Sequence, residues 1–147
     1  MRITSKIGQI LLRLALGVGF LFPVMDRLGF LGGPGSGATW GDWAHFVDYT
    51  NKLIPFATWQ IANITSIIAT IAELVFGICL IVGYKIKVAG IGAGILTLIF
   101  GVCMAIFLGI NAPFNYPVFV FTGAALVLSS LDHHEWSLDS ILEKKSV

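Results

Sequence analysis

Glu73 stands within TIAELVFGICLIV, residues 70–82, as the one carboxylate in a run that otherwise avoids water. An ionisable group inside an apolar span is by default a functional candidate, since it can hold a proton, a cation or a polar ligand. Left alone it would cost about 2.5–3.5 kcal/mol at the centre of a bilayer. Arg13 interrupts a second apolar run, ILLRLALGVGFLFPV, and is the expected partner. It lies about six residues inside one end of its helix, roughly 9 Å, and Glu73 lies about nine residues, roughly 13 Å, from the same end of its own. An arginine side chain spans that gap, and pairing lowers the cost of both charges. Two plainer readings stay open. Arg13 can snorkel to the headgroups, and Glu73 can be neutral, hydrogen-bonded to Thr70 or to a facing helix.

Helical spacing gives these residues their setting. Steps of three or four place Asn63, Ser66, Thr70, Glu73 and Gly77 on one polar or small face. Gly90, Gly94, Thr97, Gly101 and Ala105 form a small-residue face that lets backbones approach. Gln9, Arg13 and Gly17 do the same on the first run. The expected buried polar centre is therefore Arg13, Glu73, Thr70 and Thr97. Asp26 and Arg27 follow Pro23, and are expected to end that first helix and bond to the segment after it.

The elements that must position these residues follow from composition. The 147-residue chain is 56% hydrophobic and 12% charged, about half the charge of an ordinary soluble domain. Its net charge of +1 gives no reason to expect a nucleic-acid partner. Four apolar blocks, at about residues 7–24, 61–82, 88–110 and 116–131, approach the roughly 20 residues that cross a hydrocarbon core. The expected fold class is an all-α membrane protein: one domain over residues 1–147, with four transmembrane helices in an antiparallel bundle. The first block could be read as a cleaved leader, but Arg13 breaks its apolar core and no small-x-small site follows, so a retained helix is expected. Arg2, Lys6, Lys85, Lys87, Lys144 and Lys145 outnumber Arg27 and Lys52 across the connections, which by the positive-inside rule puts both termini in the cytoplasm.

The first connection divides in two. GFLGGPGSGATW reads as a linker; no strand precedes it and no Gly-Lys-Ser follows, so it is not a phosphate loop. TWGDWAHFVDYTNKL carries a capping-box pattern at Thr39 and Asp42, with Trp40, Trp43, Phe46, Val47 and Leu53 at helical spacing. A short interfacial helix over about residues 40–53 is expected, acting as an anchor or as a lid over a cavity. In NAPFNYPVF, Pro117 suits a helix start, and Asn111 and Asn115 can close open backbone groups. Residues 132–147 are expected to form a solvated cytoplasmic tail, with a short surface helix anchored by Trp136. The adjacent His133, His134 and Glu135 do not share a helix face, so no metal site is expected. Cys79 should lie near the cytoplasmic end of the second apolar block and Cys103 about 15 residues, or roughly 22 Å, into the third, so the two are beyond the reach of a disulfide.

The stretches LLRLALGVGFLFPVMDRLG, WGDWAHF, IAELVFGICLIVGYKIKVAG and NAPFNYPVF, in that order across residues 10–130, resemble the DoxX family of small bacterial membrane proteins. The resemblance implies a four-helix protein of the bacterial inner membrane. It also implies association with redox complexes, since named relatives include a membrane subunit of a thiosulfate:quinone oxidoreductase. The positions matching the family's polar pattern are Arg13, Asp26, Arg27, Trp40, Asp42, Trp43, Glu73, Asn111 and Tyr116. Asp26, Arg27, Trp40, Asp42, Trp43, Asn111 and Tyr116 are expected at the outer mouth. The chain has no haem-ligand pair buried at matching depths, no iron–sulfur cysteine set and no flavin fingerprint. No catalytic residue and no covalent cofactor are expected. An accessory subunit that holds a quinone or another lipophilic ligand, beside a redox partner subunit or a second copy of itself, is the expected role. A small transporter, channel or lipid-binding protein, and a scaffold with no chemistry of its own, are the alternatives.

Overall fold

The computed structural model describes residues 3–145, without the side chains of Thr4 and residues 143–145. Arg2, and the side chains of Lys144 and Lys145 on which the expected orientation also draws, lie outside them. All regular structure among the described residues is helical: α1 (Ile3–Arg27), α2 (Trp43–Leu53), α3 (Trp59–Val82), α4 (Ile86–Phe107), α5 (Ala112–Asn115), α6 (Val118–Ser129) and α7 (Leu138–Lys145).

Helices α1, α3 and α4 are each long and apolar enough to cross a membrane. Helix α6 is apolar but has only 12 residues, about 18 Å at 1.5 Å per residue. It is shorter than the expected 116–131, because Pro117 takes the N-cap position and the preceding residues turn off into α5. The outward faces of α3 and α4 expose Ile64, Ile68, Ile71, Val75, Ile91, Ile95, Ile99 and Val102. Apolar surface on that scale suits lipid, not water. The expected lipid environment and helical bundle therefore agree with the fold.

The long helices and α6 close a ring in which α3 touches α1 and α4, and α6 touches α4 and α1. Small residues set the spacing. A Cβ on Gly17 would lie 2.9 Å from the Gly77 carbonyl oxygen, so α1 and α3 pack backbone to backbone there. A Cβ on Gly90 would lie 2.8 Å from the Ala125 carbonyl oxygen, the matching contact of α4 with α6. Leu16, Phe20, Leu80, Ile86, Ala93, Ala125 and Leu128 fill the ring's interior. Helix α2 lies across α3 and also reaches α4 and α1, roofing one end of the ring.

At the other end the tail is docked, in contrast to the solvated tail expected. Arg13 donates to the carbonyls of Leu80 (3.1 Å), Ile81 (3.2 Å), Glu135 (3.0 Å) and Trp136 (3.3 Å). Two of these carbonyls belong to the last turn of α3, which has no intrahelical donors of its own to offer them. Gln9 donates to the His133 carbonyl, and Lys6 pairs with Glu135 at 2.9 Å. Asp139 then accepts from the backbone N–H groups of Lys85 and Ile86, capping α4. Trp136 is 78% exposed.

Candidate ligand cavity

Under the α2 roof lies a cavity of about 570 Å³, within the range of small-molecule sites. Its walls are largely aromatic and aliphatic: Phe20 from α1, Phe46 and Leu53 from α2, Phe100 and Met104 from α4, and Phe121 from α6. Its polar floor is Arg27, Glu73 and Thr97. Its mouth carries Thr39, Trp40, His45, Asp48, Tyr49, Lys52 and Tyr116.

Arg27, and not Arg13, is the partner of Glu73. Arg27 Nη2 meets Glu73 Oε2 at 2.5 Å, with both side chains almost wholly buried. Arg27 Nη1 donates to Thr70 Oγ1 at 2.9 Å, and Nε to the Pro23 carbonyl at 3.0 Å. The guanidinium lies over the Phe46 ring, 3.7 Å from its centroid, with Trp40 at 5.3 Å. This is the desolvated geometry in which a cation–π contact contributes most, about 2 kcal/mol. Arg13 is four helical turns away on the same helix, engaged with the α3 terminus and the tail. The reason lies in the length of α1: it runs through Pro23 and ends at Arg27, as expected of that pair, and the side chain of this last helical residue turns back into the bundle. Leu16, Phe20, Val24 and Arg27 are all buried and recur at steps of three and four from Arg13. That spacing was the available signal that Arg27 shares the inner face.

Asp26 supports the roof. It is 3% exposed, and its carboxylate accepts from the backbone N–H groups of Thr39 (3.0 Å), Trp40 (3.1 Å) and Gly41 (3.1 Å). This fixes the end of the glycine linker where α2 begins. Gly41, at φ +73°, passes so close to Gly33 and Pro34 that a Cβ would come within 2.5 Å of their backbone. The expected capping box is displaced by one turn. Asp42 is the N-cap of α2 and accepts from the His45 N–H, while the N–H of Thr39 belongs to Asp26. The His45 N–H, and next its imidazole, hold the Asp42 carboxyl below the usual aspartate range. Burial, with Tyr116 beside it, raises the Tyr49 phenol.

The remaining expected residues divide. Thr97 lies on the polar floor, its hydroxyl 2.8 Å from that of Thr122, and Thr70 stands behind the floor, accepting from Arg27 outside the cavity lining. Trp40 and Tyr116 line the mouth. Trp43 donates its indole N–H to Asn63 at 2.8 Å, stapling α2 to α3 outside the cavity. Asn111 is exposed at the start of α5 without a side-chain capping bond, away from the cavity lining. His45, Asp48, Tyr49, Thr50 and Lys52 were not picked out from the sequence as lining. Their spacing marks a helix, but which of its faces meets the ring depends on how α2 crosses it.

Comparison with known protein families, with characterised proteins and with solved structures finds no match to this chain. The geometry therefore carries the functional argument. Cys79 and Cys103 are free thiols, and the cavity contains neither.

Proposed function

We propose that this chain is a four-span protein of the bacterial inner membrane, with both termini cytoplasmic, that holds a lipophilic ring compound of the quinone class as an accessory subunit of a redox complex. The single observation behind this reading is the cavity: an apolar, aromatic-walled space with a buried ion pair at its floor and the helix α2 as its roof. Apolar walls with a few convergent polar groups are what a small lipophilic molecule with a polar head requires. The ring stacks between phenyl side chains, the head reaches Glu73, and an isoprenoid or alkyl tail leaves through the mouth toward lipid. The resemblance to the DoxX family adds the redox association. In this reading α6 crosses the membrane together with α5 and the turns that flank it.

The test is mass spectrometry of small molecules that co-purify from native membranes in mild detergent. Wild type is compared with Val118→Trp, which places an indole where a half-buried valine lines the cavity. A quinone near one per chain in wild type, and lost in Val118→Trp, supports the reading. Phospholipid alone in both samples overturns it and returns weight to a transporter or scaffold.

A further inference from the structure

The polarity of the cavity floor is one-sided. Glu73 commits Oε2 to Arg27, while its other oxygen, Oε1, accepts from no group among the described residues. Glu73 is 5% exposed and lines the cavity, so that unbonded oxygen is an acceptor left for whatever occupies the space. Thr97 has one hydroxyl proton and three acceptors within reach: the Ala93 carbonyl at 2.9 Å, the Gly94 carbonyl at 3.2 Å and Thr122 Oγ1 at 2.8 Å. Its proton is thus committed to the protein, and its lone pairs are what it offers a ligand. Gly19, also in the lining, lacks the usual helical donor to its carbonyl because that donor would be the N–H of Pro23.

On the floor the donors are correspondingly engaged, and the side-chain donors of Trp40, Tyr49, Lys52 and Tyr116 stand at the mouth. All three nitrogens of Arg27 already bond to Pro23, Thr70 and Glu73, and Phe46 covers a face of the guanidinium. A carbonyl head would meet acceptors on this floor. A carboxylate or phosphate head would meet the Glu73 oxygen as well. A cation gains little, since the adjacent guanidinium offsets the Glu73 charge.

From this we infer that the cavity selects a neutral amphiphile whose head group donates a hydrogen bond, a phenol or hydroquinone-type hydroxyl, over the same skeleton bearing only acceptors. The inference rests on the proposed reading of the cavity as a ligand site and adds which chemical form it takes. For a quinone-class ligand, the retained form is the reduced, hydroxyl-bearing one. The hydroxyl donates to Glu73 Oε1, and no electron or proton transfer is implied in binding.

The test uses two stable probes that differ in one donor, 4-nonylphenol and 4-nonylanisole. Binding to the purified wild-type chain in detergent is measured by equilibrium dialysis with mass-spectrometric quantification, so the outcome does not depend on a variant that folds. A hydrogen bond to a charged acceptor predicts that the phenol binds about tenfold or more tightly than the anisole. The preference should vanish in Val118→Trp, which fills the cavity, and shrink in Glu73→Gln. Equal binding of the two probes, both lost in Val118→Trp, overturns the donor selectivity and leaves a ligand cavity standing. A preference that survives in Val118→Trp also overturns it, because the discriminating acceptor then lies elsewhere. Binding of neither probe overturns both the selectivity and the cavity as a ligand site.

Discussion

Replacing Arg27 by methionine removes the guanidinium from a place where every neighbour was arranged around it. Glu73 is left buried without its cation, and Thr70 Oγ1 and the Pro23 carbonyl lose a donor. Breaking a buried pair from one side costs about 3–5 kcal/mol, because the surviving charge is uncompensated. The phenyl–guanidinium contact with Phe46 adds to the loss. Glu73→Leu alone should cost a similar amount for the reciprocal reason. The double variant Arg27→Met/Glu73→Leu leaves no buried charge, and exchanging a whole pair for apolar residues is commonly neutral or stabilising. With each single variant costing about 3–5 kcal/mol and the double near zero, a double-mutant cycle should give a coupling of about 6–10 kcal/mol in magnitude, above the usual range for residues in contact. The matching cycle for Arg13 and Glu73 should be additive to within about 0.5 kcal/mol. Arg13 meets α3 at Leu80, seven residues along from Glu73, or about 10 Å. Equilibrium unfolding in mixed micelles of mild detergent and dodecyl sulfate, followed by tryptophan fluorescence, measures both cycles. A coupling below about 0.5 kcal/mol for Arg27–Glu73, or a larger one for Arg13–Glu73, would refute the pairing and the reasoning built on it.

Two further outcomes follow from the roof and the tail. Arg13→Gln removes the donors that tie the Glu135 and Trp136 carbonyls to the end of α3, so amide exchange across residues 133–139 should speed up while residues 39–53 keep their protection; an unchanged tail would count against the docking. Asp42 is held below its unfolded-state pKa by the His45 N–H at the start of α2, so its capping contribution is complete above the ordinary aspartate range of about 4 and is lost as pH falls through the lower folded value. Protection of the His45 amide should fade over that acidic window, and the pH dependence should flatten in Asp42→Asn.

Much of the architecture was legible in the chain. The apolar blocks, the helix in the first connection and the small-residue faces follow from composition and from periods of three and four, which are local properties. The boundaries moved where a local signal was read in isolation. Thr39 looked like a helix cap, but Asp26, 13 residues earlier, claims its N–H. Residues 133–135 looked solvated, yet Gln9 and Arg13 hold their backbone from the opposite end of the sequence. The polar centre was half legible: Glu73, Thr70 and Thr97 were identified, and the cation was assigned to the wrong arginine.

That error marks the division between sequence and tertiary structure. Periodicity alone determined that Glu73 faces the bundle interior, and it places Arg13 and Arg27 on one face of α1, since their separation of 14 residues is close to a whole number of turns. It carries no information about depth along a neighbouring helix. The register of α1 against α3, set where Gly17 and Gly77 bring two backbones together, decided which arginine reaches the carboxylate. The crossing of α2 then decided which of its residues enclose the cavity. Both depend on contacts between segments far apart in the chain, and only packing supplies them.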